Sequence, residues 1–496
     1  MTFYMSRYVK FAFSMLAPLV FLILILVPPL PGMYEASISV KAHPKAAQIT
    51  LGLLFWVVLW WVCETVPLGL TGLLPALILP MLGVLKWKEA LPTYLSPIIW
   101  IFMGAFALAN AFRASGLDKR VVAFLSSLYR GKSFALSVLT TVCLPTFFLS
   151  MIGSITGAAS IMLPITLAYL SAIRGKSKEV DEMTLLLMAN AATAGALLFL
   201  ISTPPNLIGK AVVEEFTGYS VSFFDWFIFG TPQAIFGLIT SWLIIIFLYR
   251  KYLPSEPPKG YTIEKSMSFT EKSVLSVFLL AIALWTLPGF LSVIASATNS
   301  TTLATTASLI KKYVPEYAPA ILILILLPLI RQEGKPVLPF DEMLKKIDWN
   351  TIFLFGGGLL LGKGIVSSGL SEWIASVVRA YVGSEVSAWL LTSIVATIAF
   401  GLTQVASNTA TANIFCPIAA TIALGAKINP IIPILTTAMA CSIACTLPAS
   451  TPPMAIVYST RKIRVKSMLK VGVLAGSIRL IFLLLTAPYL LSLVIK

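Results

Sequence analysis

Residues 401–418 read GLTQVASNTATANIFCPI, and this stretch breaks the rules for a membrane segment. Ser407, Asn408 and Thr409 stand together near its middle, Asn413 follows shortly after, and apolar residues flank the group on both sides. At bilayer depth such an interruption survives only where it is buried in protein or lines a wet cavity. The stretch has a twin. Residues 148–165 read FLSMIGSITGAASIMLPI, with Ser154, Ile155 and Thr156 in the same place. The offset is 253 positions, both from Ser154 to Ser407 and from Pro164 to Pro417. Two interrupted hydrophobic segments at matching places in two halves are the sequence-level sign of a transporter's binding site.

Composition fixes the class. The 496 residues are 58% hydrophobic and 11% charged, with mean hydropathy +0.92, which describes a polytopic α-helical membrane protein and not a soluble domain. The net charge of +16 is spread in short basic runs between apolar spans. That is the pattern of cytoplasmic loops and not of a nucleic-acid-binding face, so no nucleic-acid partner is expected. The cysteines at 63, 143, 416, 441 and 445 all lie in apolar segments without metal-ligand spacing. His43 is the single histidine and falls in a loop, which excludes a histidine-pair haem site and leaves no base for Ser/His catalysis.

Hydropathy predicts spans at 11–30, 46–66, 68–85, 98–116, 184–212, 226–249, 273–294, 317–330, 349–367, 430–459 and 470–495. Segments 134–172 and 386–426 are too long for one span and carry the polar breaks, so each is read as a re-entrant hairpin. That leaves eleven spans with a cytoplasmic N-terminus. The loops then predicted inside hold most of the bases, among them Arg130, Lys132, Arg174, Lys176, Arg250, Lys251, Lys259, Lys265, Lys345, Lys346, Arg461 and Arg464. Those outside include Glu214, Glu215 and Asp225. Counting either hairpin as a true span would scramble this bias. The Ser- and Thr-rich stretch 292–312 reads as an outside loop.

The repeat extends beyond the twins. Ser-Gly-Leu at 115–117 returns at 368–370, again 253 apart, and Ser-Thr-Pro-Pro at 202–205 returns at 450–453. The organisation is therefore an N-terminal helix and loop (1–45), a first repeat (46–253), a polar connection (254–270) and a second repeat (271–496). Five spans per repeat make the second copy inverted, so the hairpin tips enter from opposite faces and can meet at the midplane.

Each tip ends one helix and starts another. Free backbone N–H groups at a helix start suit an anion, and free carbonyls at a helix end, with hydroxyl oxygens, suit a hard cation such as Na⁺. Consecutive prolines remove two donors and force the spans 184–212 and 430–459 to unwind. No Lys, Arg, Asp, Glu or His lies in either tip or either Pro-Pro break, so an anion there is held without an arginine clamp and no carboxylate proton relay is expected. Glu64 is placed near a span end in an interfacial or helix-contact role. Lys363 is read as snorkelling to the interface.

The residues SNTATANIFCPI at 407–418, the two STPP breaks, WWVCETVPLGLTGLLPALILPMLG at 60–83 and FGGGLLLGKGIVSSGLSEWIA at 355–375 resemble the divalent anion/sodium symporter family, over nearly the whole chain. The resemblance implies a multi-pass carrier of the cell membrane, a homodimer surrounded by lipid, whose scaffold domains hold the interface while transport domains move as elevators. It implies substrate contacts at Ser154, Thr156, Thr203, Pro204, Ser407, Asn408, Thr409, Thr451 and Pro452. It implies one sodium site at Ser150, Ser154 and Ser202, and a symmetric one at Thr403, Ser407, Asn408 and Ser450, with no catalytic residue. Two positions depart from the family pattern: Ile155 and Met454 each stand where it has Asn, and Ile155 removes an amide from both the first cation site and the substrate site. The function expected is Na⁺-coupled uptake of a small dianion, a C4-dicarboxylate such as succinate. Sodium-independent dicarboxylate exchange and transport of an inorganic oxyanion such as sulfate are the alternatives on the same fold.

Overall fold

The computed structural model describes residues 7–173, 175–258, 262, 266–332, 334–382 and 387–494. Arg174, Lys259 and Lys265 of the basic-loop pattern lie outside the described residues. Helix α1 (Arg7–Leu26) packs on α2 (Ala46–Cys63), and α3 (Leu68–Met81) leads through short turns to α4 (Pro97–Ser115) and the half-buried α5 (Leu117–Ser127). The first interrupted segment is α6 (Phe134–Ser150) and α7 (Ile155–Ser171). It is followed by α8 (Lys178–Gly195), α9 (Pro204–Thr217) and α10 (Phe223–Leu248). Past the polar connection come α11 (Phe269–Thr298), α12 (Thr301–Tyr313), α13 (Tyr317–Leu326), a two-residue ribbon, α14 (Trp349–Ser367) and α15 (Leu370–Val382). The second interrupted segment is α16 (Ala388–Thr403) and α17 (Asn408–Gly425), then α18 (Ile431–Ser442), α19 (Pro452–Ser459) and α20 (Val465–Val494).

By length and composition, six helices among the described residues can cross a membrane, or seven if α12 and the segment Tyr317–Leu329, bent by 59°, form one span. The other expected spans are built differently. Shorter apolar helices cover 11–30 and 68–85, and 184–212 and 430–459 are helix pairs with an irregular stretch inside. Both pairs resume at a Pro-Pro, because proline needs no N–H partner in the first turn of a helix.

The stretch 292–312 is helical apart from a turn at Asn299 and Ser300, and not a loop. Its hydroxyls bond back one turn, Ser292 to the Pro288 carbonyl (2.8 Å), Ser296 to Ser292 (3.0 Å), and Thr305 and Thr306 to Thr301 and Thr302 (2.8 and 2.9 Å). Polar composition hides a helix when each side chain satisfies itself on its own backbone.

In each interrupted segment the two arms pack on one another. The first hairpin rests on α8 and on α19, while the second rests on α18 and on α9. Each hairpin is thus held by the first part of one broken pair and the last part of the other. Close approach makes this possible: a Cβ on Gly195 would lie 2.2 Å from the Phe147 carbonyl oxygen, so only glycine lets the end of α8 meet α6.

A polar clamp closes one end of this group. Glu182 of α8 is 2% exposed and accepts the Arg464 N–H (2.8 Å), two bonds from its guanidinium (2.6 and 3.2 Å) and the Tyr249 hydroxyl (3.0 Å). Burial alone would raise this carboxyl, but the bonds from Arg464 hold it below its ordinary value. A lowered folded pKa contributes stability above the unfolded value of about 4.3 and loses it as pH falls through the folded one. Glu182→Gln is expected to cost about 2 kcal/mol, discounted for the open Arg464 side. Melting in detergent checks it: the gap to wild type should hold at neutral pH and narrow below about pH 4.

Candidate substrate site

The two tips and the two proline breaks converge. One open cavity of about 750 Å³ is lined by Gly153, Ser154, Ile155, Thr156 and Gly157 from the first tip, and by Ser407, Asn408 and Thr409 from the second. Ser202, Thr203 and Pro204 join from the first break, and Pro448–Pro452 from the second. All nine residues expected to contact substrate line this space.

The local sequence explains how each tip presents donors. Ser154 caps α7, its Oγ accepting the Gly157 N–H at 2.9 Å, and Ser407 caps α17, its Oγ facing the Ala410 N–H at 3.5 Å. Each cap serves the third residue of its helix, so the N–H groups of Ile155 and Thr156, and of Asn408 and Thr409, keep no intrahelical acceptor. Gly153 makes the first tip possible, since its φ of 87° is left-handed and an added Cβ would meet the Ala105 carbonyl oxygen at 2.8 Å. The breaks offer hydroxyls in place of amides, because Pro204, Pro205, Pro452 and Pro453 lack N–H groups. The Thr451 Oγ1 is buried at the cavity wall and has no partner among the described residues.

The expected cation ligands divide unevenly. Ser154, Ser202, Ser407, Asn408 and Ser450 line the cavity, while Ser150 and Thr403 are fully buried behind it. Thr403 Oγ1 lies 2.7 Å from Asn408 Oδ1 and 2.9 Å from the Cys441 carbonyl oxygen. On the first side, Ser150 bonds to the Thr146 carbonyl (2.7 Å), and Ser202 Oγ accepts the Phe199 N–H while donating to Met151 O. Ile155 adds no side-chain oxygen there.

Met454 also acquires a structural account. Its counterpart Asn206 stitches the first break, donating to the Ala196 and Phe199 carbonyls at 2.9 and 3.0 Å. In the second break, Gln404 at the end of α16 stitches instead, accepting from the Cys445 N–H (3.3 Å) and the Thr446 hydroxyl (2.7 Å). Met454 is free to be apolar, and it is fully buried.

A citrate transporter family profile matches residues 58–444. The sodium-dependent dicarboxylate transporter SdcS of Staphylococcus saprophyticus is 32% identical over 456 residues, 89% of this chain and 85% of that protein. The chain belongs to the divalent anion/sodium symporter family. SdcS of Staphylococcus aureus strain USA300 is 31% identical over 468 residues, covering 91% of this chain and 87% of its own. Two solved structures share the fold at low identity. They are the YdaH transporter of Alcanivorax borkumensis (TM-score 0.58, 13% identity, 81% of this chain and 88% of that one) and MtrF of Neisseria gonorrhoeae (TM-score 0.55, 12%, 92% and 96%). This symporter-family chain is a multi-pass membrane transporter and not an enzyme.

The transporter's cavity also holds charges that the motifs do not contain. Glu64, at the left-handed end of α2, Arg113 of α4, and Lys346 and Asp348 before α14 all line it. The tips and breaks themselves carry no charge, but Arg113 reaches the first tip from another helix and not from within the motif. Lys363 does not line the cavity and donates to the Glu89 carbonyl at 3.3 Å. Arg479, in the middle of α20, is 2% exposed and donates to Thr193 Oγ1 (3.0 Å) and Thr193 O (3.2 Å), capping the carbonyl end of α8 next to the first break. Sequence spacing signals neither arginine. The one hint is a cation inside an apolar helix, which is costly unless used.

Proposed function

We propose that the chain is a secondary transporter that imports a small dianion, a C4-dicarboxylate such as succinate, together with Na⁺. The observation that carries this reading is the convergence of two helix starts and two proline breaks on one cavity. Its tips present backbone N–H groups and neutral side chains to an anion. The sodium-dependent dicarboxylate transporters among its relatives support the same reading. The two copies, 46–253 and 271–496, are inverted repeats joined by 254–270 and preceded by 1–45, giving eleven spans and a cytoplasmic N-terminus. Their hairpins and broken helices form a mobile transport domain, and the remaining helices form a scaffold that dimerises and stays fixed as the other slides.

Ser154, Thr156, Thr203, Pro204, Ser407, Asn408, Thr409, Thr451 and Pro452 hold the anion in this reading. Na⁺ is cargo, bound first by Thr403, Ser407, Asn408 and Ser450. Ser150, Ser154 and Ser202 form the weaker partner site. The second tip is favoured because it keeps an amide where the first has Ile155. Uptake of radiolabelled succinate into proteoliposomes, with and without an inward Na⁺ gradient, tests the reading. Accumulation should require the gradient. Uptake that ignores Na⁺ but needs succinate preloaded inside would replace coupling with exchange, the reading that the missing amide at Ile155 favours.

A further inference from the structure

Arg113 is the charged side chain nearest the first tip, and it comes from a different packing group. Helix α4 packs on α11 and α13, whereas the tip belongs to the helices that rest on α8 and α19. The two sides touch at the tip, where Gly153 lies against Ala105 of α4. A methyl group added at Gly157 would lie 3.0 Å from the Arg113 guanidinium, which places this cation beside the opening turn of α7. The positive end of a helix repels a cation unless an anion lies between them.

Arg113 acts on the buried Asp118 carboxylate through its charge but forms no direct ion pair with it. It takes part in none of the seven ion pairs among the described residues. Glu64 sits at the end of α2, and the two remaining charges on the wall are committed elsewhere. Asp348 is committed to Thr351, through its N–H (3.1 Å) and hydroxyl (2.6 Å), and Lys346 lies 3.5 Å from Glu342. Asp118 shares a small niche with Arg113 behind the tip, but it is 3% exposed and already accepts the Lys119 N–H. The same α4 stripe carries Phe106 and Asn110 into the cavity, and Lys346, Asp348 and Thr351 line it as well. These last three belong to the side that the basic loops assign to the cytoplasm.

The geometry points to Arg113 as a sided specificity residue: it holds one anionic group of the substrate against the first tip while the cavity is open to the inner face. When the hairpins slide away, a residue fixed on α4 stays behind, so the contact is absent from the outward-open site. This rests on the transport reading above, and it adds an asymmetry that a pseudo-symmetric pair of tips does not contain. An anion held by a guanidinium fork loses a charge-assisted bond when the fork is removed.

The test uses the full chain in inside-out and right-side-out membrane vesicles, with [14C]succinate as probe. Arg113→Gln should raise KM about tenfold at the inner face and leave the outer-face KM within about twofold. Arg113→Lys, which keeps the charge and loses the fork, should raise the inner KM about threefold with the same sidedness. It serves as the decisive variant if Arg113→Gln does not elute as a single species. Equal shifts at both faces, or none at either, overturn the proposal. A wild-type chain that moves no succinate in either vesicle overturns the transport reading itself, and is told apart because no variant is then involved.

Discussion

Asn408→Ala is expected to reduce uptake at least a hundredfold in a protein that still folds. Asn408 is the first residue of α17, 9% exposed, on the cavity wall, with its amide 2.7 Å from the buried Thr403 hydroxyl. That hydroxyl carries one hydrogen but faces two acceptors as drawn, Asn408 Oδ1 and the Cys441 carbonyl. Turning the amide so that Nδ2 donates to Thr403 satisfies both and leaves Oδ1 for a cation. Alanine removes this anchored amide from a site that holds opposite charges side by side. A hydrogen bond to a charged ligand contributes about 1.5–3 kcal/mol, and in this reading the amide serves both the anion and the cation. Two such losses exceed the 2.7 kcal/mol or so that corresponds to a hundredfold. Asn413, five residues on, is the control. Its amide donates to the Leu354 carbonyl of α14 at 3.3 Å and does not line the cavity. Asn413→Ala should lower the melting temperature and leave the uptake rate per folded molecule nearly intact. Initial rates normalised to monodisperse protein check both, and equal losses in the two variants would remove Asn408 from the site.

The contrast between these two asparagines shows what a sequence can and cannot say here. Periodicity and turn chemistry are local, so the limits of α14, the two hairpins and the two proline breaks are legible as apolar runs and the residues that stop them. The pairing of the four breaks is legible too, because an offset of 253 relates the two tips and one of 248 the two proline breaks before any coordinates exist. Arg113 is different. It stands two residues before a Ser-Gly turn, where a base reads as an ordinary end-of-helix cation, and only the packing of α4 across from α7 turns it toward the tip. Gln404 is illegible for the same reason, since its role depends on Cys445 lying 41 positions away. The helix at 292–312 was hidden by composition, because a hydroxyl bonded to its own backbone counts as polar in a hydropathy window and as satisfied in the fold.

Ile155→Asn should move the transporter the other way. Ile155 occupies in the first tip the place that Asn408 holds in the second, 253 positions on, and it lines the cavity at 8% exposure. The partner that a new amide would need is already present. Ser150 corresponds to Thr403 by the same offset, is fully buried, and donates to the Thr146 carbonyl, so its oxygen can still accept. An amide anchored on Ser150 would complete the first side as Thr403 completes the second. The gain is one hydrogen bond to a charged ligand, about 1.5–3 kcal/mol, or roughly 10- to 100-fold in apparent affinity for the dianion. A steeper sodium dependence should accompany it. The cost falls on a different quantity: the apolar burial of Ile155, about 1.5–3 kcal/mol, stabilises the folded protein and not the complex. Ligand-free protein should therefore melt earlier while the succinate-induced rise in melting temperature grows, both measured with and without Na⁺. A variant that folds yet binds succinate no better, at any sodium concentration, would mean that the first tip does not touch the anion and that the two halves, alike in shape, divide the work unequally.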